Sequence, residues 1–204
     1  MYNEQEKVIG AFFDDCAHNG FMASFTPDDI QRLNAFFADW DIHTGEHIFE
    51  PGCGSGRLTE LIASKVGSSG AIYACDLSCA MISLARERNL PEHVTLYRGS
   101  VVEVPVKDGF FDKVLLFQVF PHFDDRLRAL KEINRVLQQD GDLWINHLKS
   151  REEINSLHRN ASAVVISHHI PDNDTLVTLL DSSGFKMDGI WDSPDGYRAH
   201  AWKK

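Results

Sequence analysis

The chain has little sulfur, little positive charge and no long apolar run. Its four cysteines, Cys16, Cys53, Cys75 and Cys79 in 204 residues, are too few and too scattered for a disulfide framework. None forms a C-x-x-C pair, so reduced thiols are expected. No stretch approaches the roughly 18 apolar residues needed to span a bilayer. No basic start followed by an apolar segment marks a secretory leader either, and the expectation is a cytoplasmic protein with no membrane span. Twenty Lys and Arg against thirty Asp and Glu leave a formal charge of −10. The cations are dispersed, whereas neutralising phosphates takes Lys and Arg clustered on one face, which argues against a nucleic-acid partner. There is no internal repeat and no low-complexity tract, and the length suits one domain with a sizeable core.

What the chain does have is a glycine turn in an informative place. His47, Ile48 and Phe49 read as a buried strand leading into Glu50, and Gly52, Gly54 and Gly56 follow before Arg57 and Leu58 open a helix. Glycines there let the backbone turn sharply and approach a ligand where a Cβ would clash, and the helix offers its unpaired N–H groups. A dinucleotide fingerprint needs a third glycine at position 57, where this chain has arginine. Asp76, twenty positions after Gly56, closes a second strand over 71–76 and suits two ribose hydroxyls. That excludes a purely structural turn and leaves the nucleotide open. Ser78 is a helix N-cap candidate. A third strand over 94–98 ends at Gly99, Ser100 and Val101, and a fourth covers 110–117. Apolar residues at spacings of three and four over 125–137, capped at Asp124 or Asp125, predict a helix that runs on into a fifth strand ending at His147.

These segments, in this order over about residues 45–147, resemble the motifs of the class I S-adenosylmethionine (SAM) dependent methyltransferases of type 11. The similarity is to the small-molecule branch that includes the ubiquinone and menaquinone type C-methyltransferases. The resemblance implies an α/β fold: a Rossmann-like, doubly wound, seven-stranded sheet, mostly parallel with a C-terminal antiparallel hairpin, and helices on both faces. It implies SAM as cofactor and a small-molecule methyl acceptor. Glu50, with Gly52, Cys53, Gly54 and Gly56, would hold the methionine end, Asp76 the ribose, and Leu77 and Met81 would flank the adenosine. Ser100 and Val101 fall where the family commonly carries Gly-Asp-Ala and uses the acid near the adenine amino group, so Ser100 departs from the pattern. Phe117 and Gln118 would border the methyl group, and Phe117 stands where many relatives have a small or polar residue. Two other readings stay open. One is an NAD-dependent oxidoreductase, disfavoured by Arg57, and the other is a SAM- or metal-binding regulatory module that has lost catalysis.

The organisation expected is a helical cap over 1–44, a cofactor core over 45–147, a substrate-side insertion over 148–172, and a last helix with a closing hairpin over 173–204. The cap has an aromatic-rich start running from Phe12 to Phe21, with His18 as a candidate pocket residue, and Thr26-Pro27 opens a second helix. In open α/β sheets ligands sit beyond the carboxyl ends of the strands, which would bring His122 and His147 to one edge, and a helix over 150–159 could return His158 to it. Three imidazoles there admit three readings: general base chemistry, a divalent metal such as zinc with an open position for substrate, or unrelated polar and packing histidines, since ten histidines make some clustering by chance expected. His168 and His169 read as loop residues.

Overall fold

A computed structural model describes residues 2–20 and 23–204; Phe21 of the aromatic segment lies outside them. Seven strands, β1 (His47–Pro51), β2 (Ala71–Asp76), β3 (Val94–Arg98), β4 (Phe111–Phe117), β5 (Leu137–His147), β6 (Phe185–Ser193) and β7 (Gly196–Lys203), form one sheet in the order β3-β2-β1-β4-β5-β7-β6. Among the described residues seven α-helices accompany them: α1 (Glu4–His18), α2 (Pro27–Trp40), α3 (Arg57–Val66), α4 (Cys79–Arg86), α5 (Arg126–Val136), α6 (Arg151–Arg159) and α7 (Asn173–Ser182).

The central strands carry consecutive apolar residues, Ile48 and Phe49 in β1 and Val114 to Phe117 in β4, because both of their faces are covered. Successive side chains leave a strand on opposite sides, so Ile48 and Phe49 enter different cores. Ile48, Leu115 and Phe117 pack with Leu33, Phe36, Trp40, Leu58 and Ile62 from α2 and α3. Phe49, Val114 and Leu116 pack with Leu130, Ile133, Leu176 and Leu180 from α5 and α7. The helix starts are fixed locally: Thr26 and Asp29 form a capping box, Ser78 accepts from the Met81 amide, and Asp125 accepts from the Arg128 amide.

At the end of the sheet the chain departs from a dinucleotide fold, in which the order 3-2-1-4-5-6 is parallel throughout. Here β7 slots between β5 and β6 and runs antiparallel to both, with His147 opposite Tyr197. The direction of winding reverses between β1 and β4, which is where such sheets open a crevice for ligand. Among the described residues no helix is long and apolar enough to cross a membrane.

Candidate cofactor site and histidine cluster

The turn after β1 folds as its glycines require. Gly52, Gly54 and Gly56 have φ of 72°, 54° and 75°. A Cβ on Gly52 would lie 2.2 Å from Val119 Cγ2 in the loop after β4. The Gly52 and Cys53 amides donate to the Cys75 carbonyl at 2.7 and 3.0 Å. Asp76 then ties the turn to the next one, accepting from the Gly54 amide at 2.9 Å and from the Ser78 amide at 2.8 Å. Burial raises the Asp76 pKa, and these two amides oppose the rise.

Glu50 is 2% exposed and accepts from Thr59 Oγ at 2.7 Å. It has no ion pair among the described residues, and burial pushes its pKa up to about 8.

These groups open onto a cavity of about 1310 Å³, counting the solvent in its mouth. Every cofactor residue expected from the sequence lines it except Gly56, which N-caps α3 with its Cα pressed on α4: a Cβ there would meet Ala85 Cβ at 3.0 Å. The sequence reading placed a helical cap here but named none of the residues, Asn3, Glu6, Ile9 and Phe13 of the α1 segment, by which it lines the cavity. The Asn3-x-x-Glu6 capping box was a legible signal for the helix start, but not for its placement. Arg57 also lines the cavity. It donates to Gln118 Oε1 at 2.7 Å, lies 4.2 Å from the Phe25 ring centroid, and its pKa is lowered by burial to about 10.

The histidines divide. His122, in a 3-10 turn over Phe120–His122, lines the cavity with its ring edge-on to Phe13 at 5.1 Å. Its Nδ1 is 2.9 Å from His168 Nδ1, so one ring of the pair donates and the other accepts. The His158 ring lies 4.9 Å from that of His122, and His158 Nδ1 meets the His168 carbonyl at 2.6 Å. Burial, reinforced by the facing imidazoles, holds His122 well below the usual histidine range. His158 and His168 are lowered too, again chiefly by burial.

His147 and His158 are not part of the cavity wall. His147 is 2% exposed against Tyr197, its Nε2 has no hydrogen-bond partner among the described residues, and burial lowers its pKa to about 3. His18 is exposed at the end of α1 and does not line the cavity either. The grouping of His122, His147 and His158 as metal ligands does not fit this donor set. His122 and His158 spend their Nδ1 atoms on His168, and among the described residues no group of three or more His, Cys, Asp or Glu is placed to hold a metal ion. His168, 46 positions from its partner in the chain, had no local pattern to reveal it.

The fold is that of a class I SAM-dependent methyltransferase domain. Residues 49–145 match the model of the family described as "Methyltransferase domain", and the chain belongs to the class I SAM-dependent methyltransferases. It is 33% identical over 114 residues to a demethylmenaquinone methyltransferase of Lactobacillus johnsonii, covering 54% of this chain and 47% of that one. It is 32% identical over 145 residues to the demethylmenaquinone methyltransferase of Symbiobacterium thermophilum, covering 68% and 58%. The chain thus spans about half the length of these curated relatives. Among solved structures, a SAM-dependent methyltransferase from Aquifex aeolicus has the same fold at a TM-score of 0.70 and 18% identity, covering 88% of this chain and all of that one. The [4+2]-cyclase SpnF also shares the fold, at a TM-score of 0.67 and 19% identity over 84% of this chain and 80% of that one. The reaction must therefore be argued from the site.

Proposed function

We propose that this chain transfers a methyl group from SAM to a small-molecule acceptor. The observation that carries the reading is Glu50: a buried carboxylate with no ion pair among the described residues, on which Arg57 of the same cavity wall acts only through space, next to a glycine turn at an open cavity. A cofactor bearing an ammonium group satisfies that carboxylate, whereas a dinucleotide pyrophosphate would be repelled by it. Asp76 offers its remaining acceptor positions to ribose hydroxyls. The bound cofactor supplies an activated methyl on its sulfonium.

This chain's residues supply position. Phe117, Gln118 and Val119 border the space above the glycine turn, Phe13 covers it, and holding an acceptor in line there makes the step effectively unimolecular. His122, kept neutral by its surroundings, is placed to take the proton released when an O–H, N–H or acidic C–H acceptor attacks. His158 and His168 position it, and through them the 148–172 segment serves the acceptor side while α1 forms the cover. The quinone-directed names of the relatives support an acceptor of small-molecule class, as does the acidic overall charge.

Calorimetric titration with S-adenosylhomocysteine, with NADH in parallel, tests the reading. The first should bind and the second should not. Asp76→Ala should weaken binding by about 1.5 to 3 kcal/mol, the range for hydrogen bonds to a charged group. With labelled SAM and a panel of quinol and phenol acceptors, His122→Asn should lower turnover while S-adenosylhomocysteine affinity stays within a few-fold. A folded chain that ignores S-adenosylhomocysteine would overturn the proposal.

A further inference from the structure

Beyond Asp76 and Leu77, the cavity wall at the end of β3 carries two polar side chains pressed together, and one of them comes from outside the sheet. Ser100 is buried, and its hydroxyl donates to Glu6 Oε1. Glu6 reaches in from the first turn of α1 and is itself 8% exposed. Its other oxygen accepts from the Asn3 amide at 2.9 Å, while Asn3 Oδ1 accepts from the Glu6 amide at 2.8 Å, so the box that starts the helix also aims the carboxylate.

The rest of α1 is held in register with the site. Asp14 accepts from Ser78 Oγ at 2.6 Å and from the Ala80 amide at 2.9 Å, and Asn3 Nδ2 donates to Asp124 across the mouth at 3.2 Å. Gly10 lies against the loop after β2, where a Cβ would meet the Leu77 carbonyl oxygen at 3.2 Å.

A carboxylate removed from water is costly unless donors surround it. Glu6 has a hydroxyl and one amide, and no ion pair among the described residues, so part of its acceptor capacity of about four positions is left over. Ile9, Leu77, Met81, Val101 and Val102 line the same cavity as Glu6, which also carries the charged side chains of Asp124, Asp125 and Arg128, so apolar wall and a buried carboxylate acceptor occur together. A flat heteroaromatic ring with an exocyclic amino group matches both features. The ribose at Asp76 would direct its base toward this wall, because the opposite side is taken by the glycine turn and Glu50.

We infer that Glu6 of α1 recognises the exocyclic amino group of the cofactor's purine, supplying from outside the sheet the carboxylate that the loop after β3 lacks at position 100. Ser100 positions it. The inference rests on the methyltransferase reading and adds to it that α1 is part of cofactor recognition as well as cover. A 6-oxo purine would set a carbonyl oxygen against the carboxylate and be refused.

The test is a pair of calorimetric titrations on each variant, with S-adenosylhomocysteine and with its deaminated analogue S-inosylhomocysteine. The ratio of the two affinities does not depend on how much of a sample is folded. The wild-type chain should prefer the amino compound by about ten- to hundredfold, the span of one charge-assisted hydrogen bond. Glu6→Gln, whose amide both donates and accepts, should bring the ratio near one, and Glu6→Ala should do the same. Adding Ser100→Asp to Glu6→Ala should restore it. Glu4→Ala, which removes an exposed carboxylate from the same first turn, should retain it. A preference that survives in both Glu6 variants would overturn the inference, as would a wild-type chain that binds the two compounds equally. A wild-type chain that binds neither would instead overturn the methyltransferase reading on which the inference stands.

Discussion

Glu50 shows how one buried residue couples binding to pH. In the free chain burial raises its pKa from 4.5 to about 8, so between those values the folded state holds a proton that the unfolded state has released. Its contribution to stability is therefore complete below about pH 4.5 and is lost as pH rises through 8. A ligand ammonium favours the ionised form and reverses the preference. S-adenosylhomocysteine binding should tighten from pH 6 to 8 and release close to one proton near neutrality, as read from titrations in buffers of different ionisation heat. Glu50→Gln should abolish the proton release and weaken binding, and zero release in the wild-type chain would contradict the assignment. Glu50 and Asp76 could be picked out in the sequence because each ends an apolar run that can only be a buried strand. Glu6 and His168 could not, since their partners lie 94 and 46 positions away in the chain and no local spacing encodes such a meeting.

The segment from β1 to α3 is where local sequence and tertiary demand coincide. Gly52 needs a positive φ, and it also needs no Cβ because Val119 occupies that space. Gly67, at the end of α3, also has a positive φ, of 66°, yet a Cβ there would meet Thr44 Cγ2 only at an ordinary 3.4 Å. Gly52→Ala should lower stability by about 1 to 3 kcal/mol through strain and overpacking and weaken S-adenosylhomocysteine at least tenfold as the Val119 loop is displaced. Gly67→Ala should lower the melting temperature and leave affinity within twofold. Equal affinities in the two variants would remove the turn from the site. The elements themselves were largely legible: Thr26 and Ser78 cap the helices their positions predict, Asp125 rather than Asp124 caps α5, and the helix expected over 150–159 forms with Ser150 as its N-cap. The covering position of α1 was less so, because its amphipathic pattern says that one face is buried without saying against what.

Across the whole molecule, interior histidines set the acid limit of stability. His147 is lowered from 6.5 to about 3, and His122, His158 and His168 are lowered too. A depressed histidine contributes stability that is complete above the unfolded value near 6.5 and is lost as pH falls toward the folded one. For the fully buried His147 the loss at pH 5 is about 2 kcal/mol, from 1.36 kcal/mol per pKa unit. His200 opposes the trend. The Asp142 and Asp188 carboxylates, at 2.8 and 3.1 Å, overcome its burial and raise its pKa. Its contribution is complete below about 6.5 and fades as pH rises above that. Glu50 also gains as pH falls through this interval, so the His147 contribution is read as a difference: between pH 6.5 and pH 5 in denaturant melts, His147→Gln should gain stability relative to the wild-type chain, and an identical pH dependence in the two would mean that the His147 ring is hydrated.

The sequence alone determined the alternation that sends Ile48 and Phe49 into separate cores, the capped helix starts, and the glycine turn flanked by Glu50 and Asp76. All of these follow from local rules of period, capping and backbone freedom that act within a few residues. Only the tertiary structure decided that β7 would insert between β5 and β6, that α1 would lay Glu6 and Phe13 over the cavity, and that His122 would pair with His168 while His147 was sealed inside. Each of those outcomes joins distant segments by packing and burial, and shape complementarity between faces of the fold is written in no single stretch of the chain.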